Sequence, residues 1–250
     1  VAFARPAIQI VVARHRQAAS TVTRWLWGED LSAPTFHLAR LLFVRGIALC
    51  YFLAFLSFAL QWEGLVGARG ISPAAELLAQ ARSALGSKAW AALPTVFWAT
   101  GASDAALSAV TWSGAALALV VLAGFVPMAG LAALWALYLS VFSVGSVFLG
   151  FQWDVLLLEA GALAVFAAPA GLRPRLSAES APGAVPLWLV RWLWFRLLFL
   201  AGAVKLASGD GAWWDLSALS FHFETQPLPH ALSWYVHMLP SWALKAGCLG

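Results

Sequence analysis

The chain has 250 residues, of which 62% are hydrophobic and 10% charged, and its formal net charge is +4. Soluble domains average roughly 45–50% apolar and about 25% charged residues. The composition therefore excludes a soluble globular domain and predicts an integral membrane protein. In such a chain a basic excess orients helices rather than binding nucleic acid. The two cysteines, Cys50 and Cys248, provide neither a disulfide framework nor a metal-ligand spacing.

The apolar runs predict an all-α, polytopic transmembrane helical bundle of about five spans plus interfacial helices. A transmembrane helix needs about 20 apolar residues. Runs of this kind begin after a basic tail over residues 1–37 and together define a five-span bundle over residues 38–206. The predicted spans cover residues 38–61, 106–125, 129–149 and 151–168, and the fifth begins at residue 187 and ends near Lys205.

The charges between the spans predict the orientation. The tail and the loop carrying Arg173 and Arg175 are basic, whereas residues 206–230 carry acids but no lysine or arginine. By the positive-inside rule the tail is cytoplasmic, and the loops at 62–105 and 206–230 lie outside. A short amphipathic helix is predicted for residues 73–85 in the first of these loops.

The end of the chain is predicted to lie at the outer face of the membrane. Residues 207–242 form an outer polar loop and an interfacial helix, with the helix over residues 231–242. Residues 243–250 are interpreted as the start of a truncated further segment, because the apolar character after Pro240 is too interrupted for a span.

Two charges inside the predicted spans match in depth. Glu159 lies eight residues past Phe151, about 12 Å below the outer boundary, and Arg196 is about 16 Å from the same boundary. A lone charge in hydrocarbon is costly. The match predicts an ion pair between Glu159 and Arg196, and we favour a structural role for this pair over a transport or catalytic one.

Other polar residues in the spans are expected to need partners. Arg45 lies about 10 Å into the first span, and Lys205 reaches the outer interface near the level of Asp154. Lys205 is about 180° around the helix from Arg196, so either Gly202 permits a bend or Lys205 faces the carboxylates of the outer loop. The predicted buried polar residues besides the ion pair are Arg45, Asp154 and Arg191.

The loop after Lys205 is the candidate functional surface. Glycines allow a tight reversal there, and tryptophans can anchor the loop at the level of the lipid headgroups. His222 and Glu224 have no further ligand at a useful spacing, so no metal site and no cofactor is predicted. The candidate residues are Lys205, Asp210, Trp214, Asp215, His222, Glu224 and Gln226.

Three stretches of the sequence resemble the lipase maturation factor family. They are SFALQWEGLVGARGISPAAELL (57–78), FLGFQWDVLLLEAGALAVF (148–166) and, above all, LFLAGAVKLASGDGAWWDLSALSFHFETQPLPHALSWY (198–235). The resemblance implies a polytopic membrane protein that assists the folding and assembly of secreted dimeric lipases. Members of the family in animals reside in the endoplasmic reticulum, and further spans and a lumenal domain follow HFETQPLP.

For this chain the resemblance leads to specific expectations. We expect a protein of the bacterial inner membrane that contacts membrane lipids and assists a secreted lipase or similar hydrolase. We expect it not to be an enzyme.

A second and shorter resemblance gives an enzymatic alternative. The segment AGAVKL (201–206) is similar to a helix end of vitamin K-dependent carboxylase. The similarity places Lys205 at a lysine that serves as a base in the carboxylase. An amine at an apolar boundary can act as a general base. The alternative is therefore a membrane-embedded enzyme that uses Lys205 as its base.

Overall fold

The structure is a computed structural model that describes residues 21, 24, 35–174, 181–226 and 230–249. All regular secondary structure in these ranges is helical, which confirms the all-α class. The predicted tail over residues 1–37 lies almost entirely outside the described residues. The α-helices are α1 (His37–Ala59), α2 (Trp62–Leu65), α3 (Ala74–Leu85), α4 (Ala89–Ala92), α5 (Phe97–Thr100), α6 (Asp104–Leu122), α7 (Pro127–Gly145), α8 (Gln152–Ala167), α9 (Ala184–Ala207), α10 (Gly211–Trp214), α11 (Ala218–Thr225), α12 (Ser233–His237) and α13 (Ser241–Gly247).

Four helices of the described chain are long and apolar enough to cross a membrane. They are α1, α6, α9, and α7 together with the 3-10 turn that extends it to Phe148. The predicted span over residues 151–168 forms α8, which has 16 residues. At 1.5 Å per residue α8 is about 24 Å long, shorter than the roughly 30 Å hydrocarbon core. A count of five spans therefore stays a prediction.

The core of the bundle is built by α1, α6, α7 and α8. Helix α1 packs against α6 and α8, and α7 packs against the same two helices. Small residues allow the close approaches, because a side chain at Gly114 would overlap Phe55 and one at Gly161 would overlap Tyr51. Helix α9 packs against α8 and has no buried residue of its own.

The loop between α1 and α6 is fixed to the end of the bundle by hydrogen bonds. The Ala68 amide donates to Asp104 Oδ1 at 2.8 Å, at the start of α6. The Thr95 hydroxyl donates to the Ser140 carbonyl at 3.2 Å, and the Ser143 hydroxyl donates to the Pro94 carbonyl at 3.0 Å. The helix predicted for residues 73–85 is present as α3, and α2 to α5 form a folded cap over one end of the bundle.

The predicted helix over residues 231–242 is wrong, because two short helices occupy this part of the chain. Helix α12 ends at His237 and α13 begins at Ser241, with Pro240 between them in an extended conformation. Proline lacks an amide hydrogen and cannot continue a helix from the preceding turn. Residues 243–247, part of the segment predicted to be truncated, complete α13, which packs on α11 and buries Leu244.

Candidate functional site

The structure brings Glu159 and Arg196 together at the seam between α8 and α9. The Arg196 guanidinium donates through Nη2 to Glu159 Oε2. The pair is not enclosed, because the side chain of Arg196 is 42% exposed and that of Glu159 is 41% exposed. It lines a lateral groove of about 420 Å³ between the two helices. The ion pair therefore lies on the rim of the bundle rather than in its core.

Asp154 is the buried carboxylate, and its partner is a tyrosine rather than a cation. It is 5% exposed and accepts a hydrogen bond of 2.6 Å from the Tyr138 hydroxyl. Its Oδ2 is buried without a partner among the described residues. The position in the first turn of α8 also favours a carboxylate, because the helix dipole is positive there.

Two tyrosines organise this region, and neither was among the residues predicted from the sequence. Tyr51 and Tyr138 meet edge to face with ring centroids 5.6 Å apart, and Phe55 approaches Tyr138 at 5.5 Å. The Tyr51 hydroxyl donates to the Leu157 carbonyl at 3.4 Å. The chain has 3 Tyr against 16 Phe. Because tyrosine is rare here, a tyrosine within an apolar span indicates that its hydroxyl makes a buried hydrogen bond, and this signal could have been used.

The prediction that Arg45 and Arg191 are buried is wrong. Both are exposed, and among the described residues the buried arginine is Arg40, which is 8% exposed. Depth along a helix does not fix the side that faces the bundle. Arg45 follows the buried Val44 and is rotated by about 100° from it. The Arg191 guanidinium lies 5.2 Å from the centroid of the Phe36 ring.

Lys205 is in the last turn of α9 and contacts an aromatic ring. It is exposed, and its Nζ lies 4.7 Å from the centroid of the Trp213 ring. Helix α9 is continuous over Ala184–Ala207 and therefore runs unbroken through Gly202. The expected pairing of Lys205 with loop carboxylates is wrong. Asp210 Oδ1 accepts from the Ala212 amide and Asp215 Oδ1 from the Ser217 amide, each at 2.9 Å.

Asp215, which follows α10, has a stabilised carboxylate. Hydrogen bonds from the side chain and then the backbone of Ser217 lower the pKa of Asp215, and the charge of Lys245 adds to this effect. The carboxylate therefore stays ionised and holds the turn between α10 and α11.

The remaining candidate residues lie on α10, on α11 or directly after α11, within what we call the outer segment, residues 208–249. Glu224 Oε1 contacts His237 Nε2 at 3.1 Å, and the Gln226 amide donates to the Ser233 hydroxyl at 2.6 Å. His222 and Trp214 are exposed. The described residues contain no cluster of three or more histidine, cysteine, aspartate or glutamate side chains placed to hold a metal.

These features define an integral membrane protein with an all-α bundle and a helical segment beyond one end of it. The family model of the lipase maturation factor transmembrane domain matches residues 38–250. The chain belongs to the lipase maturation factor family, as the three resembling stretches predicted.

Relatives of known name agree with this assignment. Lipase maturation factor 2 of Homo sapiens is 43% identical over 225 residues, which cover 84% of this chain and 31% of the relative. Lipase maturation factor 1 of Mus musculus is 36% identical over 219 residues, which cover 85% and 38%. The chain thus spans about a third of the length of these relatives. No solved structure gives a significant match.

Proposed function

We propose that the chain is the membrane-embedded part of a folding and maturation factor for secreted lipases or similar hydrolases. The observation that carries the proposal is the family match over residues 38–250, which includes the outer segment as well as the bundle. The relatives are named lipase maturation factors, and their names give the class of client. The carboxylase resemblance receives no support from the family model or from these relatives.

The outer segment is the part suited to a client. It folds as a unit, because α11 packs against α12 and α13. Its surface is unusually apolar, as large aromatic side chains stand out from it. Exposed apolar patches of this kind suit a membrane interface or the unburied surface of an incompletely folded protein. The exposed aromatic residues are Trp214, Phe221, Trp234, Tyr235 and Trp242, each between 56% and 72% exposed.

The site chemistry favours binding over catalysis. The Lys205 amine packs on the face of the Trp213 ring, a contact that positions the side chain at the end of α9. Lys205, Asp210 and Asp215 fix the exit of α9. In this proposal His222, Glu224 and Gln226 shape the surface next to the exposed aromatic residues.

The orientation follows from the distribution of charge. Arginines cluster at the end of the bundle where α1 and α9 begin, which we call the basic end. Arg40, Arg45 and Arg191 lie there. By the positive-inside rule this end faces the cytoplasm. The outer segment then faces the bacterial periplasm, the compartment in which secreted hydrolases fold, and the protein is assigned to the bacterial inner membrane.

Thiol labelling tests this orientation and with it the proposed function. In a background with Cys50→Ser and Cys248→Ser, a cysteine is introduced by Thr225→Cys in the outer segment or by Ala181→Cys before α9. Both positions are exposed, so accessibility depends on the side of the membrane alone. We expect a membrane-impermeant maleimide added to intact spheroplasts to label the Thr225→Cys protein and to spare the Ala181→Cys protein.

Lysed spheroplasts provide the control, because both cysteines should then react. Labelling of the Ala181→Cys protein alone in intact spheroplasts would place the outer segment in the cytoplasm. A segment in that position has no access to a secreted client, and the proposed function would be wrong.

A further inference from the structure

A cavity of about 170 Å³ lies at the basic end, between α1 and the turn that joins α6 to α7. Four of its described lining residues are basic and none is acidic. The basic ones are His37, Arg40, Arg45 and Arg173, and the rest are aliphatic, glycine or proline residues. The described part of the lining therefore combines basic side chains with apolar walls.

Two guanidinium groups flank the turn between α6 and α7. On one side, Arg45 Nη2 lies 3.4 Å from the position that a Cβ atom would take at Gly124. On the other side, the Arg173 guanidinium lies 5.0 Å from the centroid of the Phe125 ring. The Val126 amide donates to the Leu172 carbonyl at 2.8 Å, which fixes the loop that carries Arg173 against the turn. The two arginines are therefore held on neighbouring, connected elements.

The same cavity receives two further features that favour an anion. Helix α7 begins at Pro127, which lines the cavity, and has 19 residues, so its positive end lies there. His37 also lines the cavity, and its Nδ1 is buried without a hydrogen-bond partner in the described part of the chain.

We propose that this cavity binds the phosphate-bearing headgroup of an anionic phospholipid. Guanidinium groups bind phosphate oxygens in bidentate fashion, and basic pockets between transmembrane helices are known to hold anionic headgroups. The lipid rather than a free anion fits the surroundings of Arg45. Leu42 lies three positions before Arg45 and Leu49 four positions after it, so all three share one face of α1. Leu42 is 62% exposed and Leu49 is 43% exposed. They offer an apolar path for an acyl chain.

The test is a binding titration with the purified full chain in a mild nonionic detergent. Phosphatidylglycerol and phosphatidylcholine with identical acyl chains are added separately, and binding is followed by native mass spectrometry. We expect Arg45→Gln and Arg173→Gln each to weaken phosphatidylglycerol binding about fivefold and to leave phosphatidylcholine binding unchanged. Arg82→Gln is the matched control, because Arg82 is exposed on α3 at the opposite end of the bundle, and this change should have no effect.

Three results would overturn the proposal. The first is equal phosphatidylglycerol affinity for the unchanged chain and for a double variant that carries both Arg45→Gln and Arg173→Gln. The second is thermal stabilisation by inorganic phosphate equal to that by phosphatidylglycerol, because the site would then be one for the free anion. The third needs no variant: equal occupancy by the two lipids, when both are supplied together at the same concentration, would show that the cavity has no preference for an anionic lipid.

Discussion

Replacing Gly161 by alanine is expected to destabilise the bundle by about 1–3 kcal/mol. A Cβ atom at this position would overlap the Tyr51 hydroxyl and would lie 2.8 Å from Tyr51 Cζ. Tyr51 is fully buried and is held between α1 and α8 by its hydrogen bond to Leu157. The ring packs against Phe55 and Tyr138, so making room for the methyl group disturbs the core or separates α1 from α8. Reversible unfolding in mixed micelles with a denaturing detergent measures the loss.

Two changes serve as controls for this prediction. Gly202→Ala on α9 adds the same methyl group where nothing lies within 4 Å, and alanine is the better helix former by about 1 kcal/mol. This variant should be neutral or more stable. Tyr51→Phe removes the overlapping hydroxyl and should recover part of the loss in the Gly161→Ala background. Equal stability of the Gly161→Ala protein and the unchanged chain would show that α1 and α8 pack differently.

Neutralising either Glu159 or Arg196 alone is expected to cost about 2–4 kcal/mol. The two side chains form an ion pair at the seam between α8 and α9. At the membrane depth predicted for the pair, a charge left alone has neither its partner nor bulk water. The double variant Glu159→Gln with Arg196→Met removes both charges together and should recover more than half of the loss. The measurement is a double-mutant cycle of unfolding free energies.

Arg191→Met is the matched control on the same helix. Arg191 is exposed at the basic end, and its contact with the Phe36 ring contributes about 0.5–1 kcal/mol. The control should therefore lose much less stability than Arg196→Met. Strictly additive losses for Glu159→Gln and Arg196→Met would mean that the two charges do not interact in the membrane.

The positions of the helices could be predicted from the sequence because they depend on the lengths of apolar runs. Predicted spans at 38–61, 106–125 and 129–149 correspond to helices at His37–Ala59, Asp104–Leu122 and Pro127–Gly145. The three helices begin one or two residues before the predicted spans, because residues at the N-terminus of a helix determine where it begins. The Ser103 hydroxyl accepts from the Ala106 amide at the start of α6, and Pro127 occupies the first turn of α7.

The candidate site was only partly predictable, because a sequence gives depth more directly than direction. Depth alone was enough to bring Glu159 and Arg196 together. It was misleading for Arg45 and Arg191, which are exposed rather than buried. Tyr138 as the partner of Asp154 depends on the packing of α7 against α8, and no local pattern specifies that contact.

The loop after α9 shows a different reason for failure. Charge counting paired Lys205 with Asp210 and Asp215, but both carboxylates accept backbone hydrogen bonds within their own turns. Aspartate commonly accepts hydrogen bonds from nearby backbone amides in turns. Such local bonds cost less chain entropy than a contact with a distant ammonium group, which leaves Lys205 to contact the Trp213 ring.

The most direct test of the proposed function is the specific activity of a secreted lipase, measured per mole of lipase protein, in a strain that lacks this protein. We expect the activity to fall in that strain and to be restored by the unchanged protein.

Lys205→Arg should restore it as well, because arginine also stacks on the Trp213 ring, whereas Lys205→Ala should restore it only partly. Unchanged lipase activity in the deletion strain would contradict a maturation role. Equal and complete loss with Lys205→Arg and Lys205→Ala, while both variants remain folded in the membrane, would instead assign Lys205 the role of a base, since arginine cannot give up its proton.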